Sequence, residues 1–118
     1  HDTDFGQFIS EQKRKNSLQS QELAKRLGIS LGYLSQLEHG KRLCPDVELL
    51  KKMTKIFDLT LEERTILYDL YAKASGRLSP DIIEYIQSKE IVQRALRYAH
   101  DVNATDEDWE KFIEFLKK

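Results

Sequence analysis

A length of 118 residues points to one domain with room for a small appended lobe, long enough to bury a core without covalent staples. A single cysteine, Cys44, excludes an internal disulfide and argues against a cysteine-built metal site; no run of about 18 apolar residues exists to span a membrane. The net charge of −1 hides an asymmetry: Lys13 to Arg42 holds seven cations and two anions, whereas residues 60–118 hold nine cations and twelve anions.

A basic segment ahead of an acidic one suggests a polyanion-binding face on a chain whose other end does something else. One cysteine suits a reducing interior. The chain begins at His1, which reads as a trimmed end or a tag remnant and is set aside.

Apolar residues recur at helical spacing almost throughout, with two prolines, five glycines and no β-branched run, so the expected fold class is all-α. Eight helices are expected. The first covers about 3–15, with Phe5, Phe8 and Ile9 inward. The second, about 20–27, carries Leu23, Ala24 and Leu27, and Gly28 ends it as a left-handed residue. Ser30 caps the third, about 31–38, which buries Leu34 and Leu37. Pro45 and Asp46 open the fourth, about 46–57, with Val47, Leu50, Met53 and Ile56 in register.

Thr60 and Glu63 form a capping-box pattern that opens the fifth helix, about 61–74, and Gly76 closes it. Ser79 followed by Pro80 starts a sixth, carrying Ile82, Ile83 and Ile86. The seventh, about 89–101, places Ile91, Val92, Ala95, Leu96 and Ala99 inward. Thr105 with Asp108 opens the eighth, where Trp109, Phe112, Ile113 and Leu116 form one stripe. The best internal boundary is KASGRLSP, residues 73–80, where glycine, serine and proline cluster.

The second and third helices, joined by a short turn containing glycine, have the form of a helix-turn-helix. Ala24 is small enough for the two helices to cross closely, Gly28 permits the sharp turn, and Ile29 plugs the crossing. With Leu34 and Leu37 inward, Leu31, Gly32, Tyr33, Ser35 and Gln36 are left on or near the outer face of the first turns. That is the part of a recognition helix that reaches base edges in the major groove.

The stretch LQSQELAKRLGISLGYLSQLEHGKR, with Pro45 and the leucine-rich fourth helix after it, resembles the phage-repressor/Cro-type helix-turn-helix family, often called XRE. The resemblance covers about residues 4–59. It implies a five-helix repressor-like domain over residues 4–74, followed by a C-terminal helical region over 79–118. It also implies base reading by Leu31, Gly32, Tyr33, Ser35 and Gln36, and phosphate contacts from Ser20, Gln21, Ser30, Lys41 and Arg42. Lys13 falls where the family commonly pairs an arginine with the glutamate numbered Glu38 here. Three departures from the family pattern involve four positions. Ser20 is shorter than the usual glutamine, Gln19 stands where a serine or threonine cap is usual, and Leu31 and Gly32 replace polar readers. Base reading then leans on Gln36, Tyr33 and apolar contact of Leu31 with a thymine methyl.

Nothing in the sequence assembles catalytic chemistry. Cys44 precedes a proline and has no base near it in sequence, and His39 and His100 lack metal-ligand spacing. The acidic cluster in ATDEDWE occupies a helix first turn, where it suits the helix dipole. No catalytic residue, metal or cofactor is expected, and the chain is not expected to be an enzyme.

The expected function is a sequence-specific, double-stranded DNA-binding transcriptional regulator, a dimeric repressor in the cytoplasm of a bacterium, or encoded by a phage or mobile element. The alternative is an antitoxin that neutralises a partner toxin and autoregulates its operon. A homodimer is expected because such proteins read two half-sites about one DNA turn apart. Trp109, Phe112, Phe115 and Leu116 are the candidate dimer or partner interface. A toxin, a protease or an anti-repressor protein are the other partners this region would suit; a membrane is not among them.

Overall fold

The computed structural model describes residues 4–39 and 44–118. Among these, the elements in chain order are α1 (Asp4–Lys15), α2 (Ser20–Leu27), α3 (Leu31–Glu38), α4 (Val47–Ile56), α5 (Leu61–Ser75), α6 (Pro80–Ser88), α7 (Glu90–Asp101) and α8 (Asp106–Lys117), with no strand. The fold is all-α. Two compact units divide the chain, His1–Asp81 and Ile82–Lys118.

The first unit is built around one core. Phe5, Phe8 and Ile9 of α1 meet Leu23, Ala24 and Leu27 of α2, Leu34 and Leu37 of α3, and Leu49, Leu50 and Met53 of α4. Phe57, Leu59 and the α5 residues Leu67, Tyr68 and Tyr71 close it. α1 packs on α3 and α5, α2 on α3 and α4, and α4 on α5. The fourth helix buries Leu49 alongside Leu50 and Met53, while Val47 and Ile56 are half-buried.

Side-chain caps mark several starts. The Asp46 carboxylate accepts the Leu49 amide at 2.8 Å, and Thr60 with Glu63 forms a complete capping box, as does Thr105 with Asp108. Ahead of α6 the Ser79 hydroxyl donates to the Asp81 carboxylate at 2.5 Å. Glutamate 63 also accepts from Lys15 at 2.6 Å and from Gln12 at 3.1 Å, so one carboxylate caps α5 and ties it to α1.

The second unit has no buried residue. The α7 residues expected inward are half-buried at most, and Ile91 and Leu96 are exposed. The α8 stripe is likewise open, with Trp109 37% and Leu116 57% exposed. The helical periodicity is correct, but these described residues provide no layer to bury it. Between α7 and α8 the backbone turns at Asn103 (φ 55°), and the Ala104 amide donates back to the Ala99 carbonyl at 2.9 Å.

Candidate nucleic-acid interface

The α2–α3 corner is fixed from both sides. Gly28 follows α2 at φ 73°, where a residue with a Cβ would be strained, and its amide donates to the Lys25 carbonyl at 3.2 Å. The Ile29 amide donates to the Ala24 carbonyl at 3.0 Å, the paired pattern of a left-handed helix end. The Lys52 ammonium, reaching from α4, donates to the Leu27 carbonyl at 3.3 Å and satisfies another α2 end group. Ser30 is extended, and its hydroxyl accepts the Tyr33 amide at 3.0 Å, starting α3.

One face of α3 is anchored. Leu34 and Leu37 are buried, and Glu38 is buried beside them with its carboxylate accepting from Lys13 at 2.8 Å. A carboxylate so covered needs that partner; leaving it alone in the core would be costly. The opposite face is open: Leu31, Gly32, Ser35 and Gln36 are all exposed. Tyr33 lies between the faces, half-buried and packed on the core. Burial first, then the nearby Asp46 and Cys44 charges, push its phenol pKa above the usual value, so the hydroxyl stays a donor at neutral pH.

Lys13 does more than its sequence position suggests. The same ammonium that holds Glu38 also donates to the Ser20 hydroxyl oxygen at 2.8 Å. One cation thus joins the end of α1, the start of α2 and the end of α3. The Ser20 oxygen accepts there, which leaves the hydroxyl proton for an outside acceptor such as a phosphate. Ser30 has the same arrangement, accepting from Tyr33 with its own proton still to give. No spacing rule signals the Lys13–Ser20 bond, because it is made across a tertiary corner. Gln21 is exposed on the first turn of α2, and Gln19 stands at its N-cap with no side-chain cap bond.

The basic character of this segment is partly spent inside the protein. Lys13 pairs with Glu38, Lys15 with Glu63, and Arg26 with Glu22 one turn before it. Arg14 and Lys25 are exposed. Lys41 and Arg42, expected to touch phosphate, lie outside the described residues.

A helix pinned by apolar residues and a part-buried ion pair on one side, with an amide, a hydroxyl and an isobutyl group presented on the other, has the form of the second helix of a helix-turn-helix. A family model described as helix-turn-helix matches residues 9–64, just under half of the chain. The helix-turn-helix is a DNA-binding motif. No curated protein matches the chain. Among solved structures, one titled as a SinR protein/SinI protein complex is similar over 96% of this chain and 94% of that chain, at 19% sequence identity and a TM-score of 0.48. Among the described residues no helix is long and apolar enough to cross a membrane.

Proposed function

We propose that this chain is a sequence-specific repressor that binds a double-stranded operator as a homodimer. The observation that carries the reading is the two-sided character of α3, with Leu34, Leu37 and Glu38 held in the core and Leu31, Ser35 and Gln36 exposed on one accessible surface. α3 enters the major groove. Gln36 has the donor and acceptor needed for bidentate contact with adenine N6 and N7, Ser35 bonds either base type, and Leu31 meets a thymine methyl. Tyr33 serves at the rim of this surface. Ser20, Gln21 and Ser30 donate to phosphates, joined by Lys41 and Arg42, and fix the register. Repression is by occlusion: a promoter covered in this way is closed to polymerase.

The two-fold contact falls to residues 79–118. Within this region, Ile82–Lys118 buries no residue of its own and so lacks a core, and association supplies one. Trp109, Phe112, Phe115 and Leu116 are the residues assigned to it. The same exposed faces favour a second reading, in which a toxin or another protein partner covers α7 and α8 and DNA binding serves autoregulation. Selection of duplexes from a randomised pool, followed by footprinting, tests the repressor reading. Two inverted half-sites centred about 10 base pairs apart are expected. Protection of a single half-site by a monomer, with two-site binding appearing only when a partner protein is added, would favour the second reading.

A further inference from the structure

We propose that Gly32 sets how deeply α3 seats in the DNA: its missing side chain is a notch in which the duplex comes against the helix backbone. This rests on the DNA-binding reading and deepens it.

Nothing inside the protein asks for glycine at this position. Gly28 and Gly76 lie at φ 73° and 72°, conformations that favour glycine, whereas Gly32 is not among the residues of positive φ. A Cβ built on Gly32 would meet nothing within 4 Å, so neighbouring side chains do not exclude one. Gly32 is also exposed and lies inside a regular helix, where glycine is less favourable than alanine because the unfolded chain has more freedom to lose. The fold therefore carries a cost at this residue from which it gains nothing. The reason lies with what approaches from outside.

The position identifies the visitor. Gly32 is the second residue of α3, and Ser35 and Gln36 follow it at three and four residues, so the three share one helix face. That face carries a gap at its N-terminal end and two hydrogen-bonding side chains one turn later. Gln36 carries its amide on a two-carbon stem, and Ser35 beside it is shorter still. Each reaches a base edge only if the helix lies close, and a methyl group at position 32 would hold the first turn away. Leu31, next to the gap, then brings its apolar side chain to the groove at the same depth.

The test pairs two measurements of opposite expected sign on the 118-residue chain. The probe is the duplex selected from a randomised pool by the wild-type protein, alongside a scrambled duplex of equal length. Gly32→Ala is expected to melt roughly 2–5 °C higher than wild type. It is expected to bind the selected duplex at least tenfold more weakly, with less than twofold change on the scrambled one. Gly32→Met, a larger group of good helix propensity, is expected to lose more. Binding of Gly32→Ala to the selected duplex within twofold of wild type would overturn the proposal, as would a lower melting temperature. Gln36→Ala, measured in parallel, separates the two levels. If it loses specificity while Gly32→Ala does not, the notch is wrong and the DNA-binding reading stands. If the wild-type protein selects no duplex, the reading itself fails and the notch with it.

Discussion

At the scale of single residues, Glu63 is the most connected carboxylate in the first unit. Bonds from Lys15, from the Thr60 backbone and from Gln12 hold its pKa down from 4.5 to about 2. A carboxyl group with a depressed folded-state pKa stabilises the protein above its unfolded value, and that contribution disappears as pH falls through the folded value. Stability is therefore expected to fall between about pH 4.5 and pH 2, and Glu63→Gln should flatten this part of the profile in urea titrations taken at several pH values. An unchanged profile in the variant would mean the α1–α5 tie contributes nothing. Gln12 beside it is buried, and its amide oxygen has no partner. Its amide nitrogen donates to Glu63, so the residue trades one orphaned acceptor for the tie between helices. Lys13 is the other hub. Lys13→Met leaves Glu38 without its cation, and a loss of about 1–3 kcal/mol in chemical denaturation is expected.

At the scale of elements, helix ends carry the argument. Ser30→Ala removes the bond to the Tyr33 amide and is expected to cost about 1 kcal/mol. Four corners end with a left-handed residue followed by a return bond: Ser17 after α1, Gly28 after α2, Asp58 after α4 and Asn103 after α7. Only one of these is glycine. Ser17→Gly is therefore expected to stabilise the chain by up to about 1 kcal/mol, and Gly28→Ala to destabilise it by about 1–2 kcal/mol, both read from denaturation midpoints. These corners also show what could be read in advance. Gly28, Ser30, Asp46, the Thr60–Glu63 box and the Thr105–Asp108 box announce themselves by residue type, since each role has few chemical candidates. Ser17, Asp58 and Asn103 do not, because serine, aspartate and asparagine are ordinary in loops and the bonds that hold them form only once the helices are packed. The outer face of α3 was legible for a related reason: Leu34 and Leu37 fix its rotation, and the remaining side chains follow. The Lys13–Ser20 bond was not, as it joins residues through a corner that sequence spacing does not encode.

At the scale of the whole molecule, the two units differ in how they use apolar residues. Among the described residues, sixteen hydrophobic residues are buried in the core cluster, all of them before residue 82. Periodicity alone predicted an inward face for α7 and a single apolar stripe on α8, since the pattern fixes which residues share a face and says nothing of what covers it. Trp109 and Phe112 meet edge to face, with centroids 5.9 Å apart, and Ile113 and Leu116 continue the same exposed stripe. If this stripe makes the two-fold contact, wild-type protein sediments as a dimer at micromolar concentration and Phe112→Ala shifts it towards monomer. Truncating an aromatic anchor of this kind costs about 2 kcal/mol or more. A wild-type monomer at high concentration would assign the stripe to another protein.

The central claim is that the open face of α3 reads DNA sequence, and Gln36 tests it most directly. The measurement is fluorescence anisotropy of a labelled selected duplex and a scrambled one, with wild type and Gln36→Ala, at two salt concentrations. Wild type is expected to prefer the selected duplex at both salts. Gln36→Ala should lose about 1–3 kcal/mol on that duplex and relax preference at one base pair, with its salt dependence unchanged. Equal binding of wild type to both duplexes, or undiminished preference in Gln36→Ala, would contradict the account.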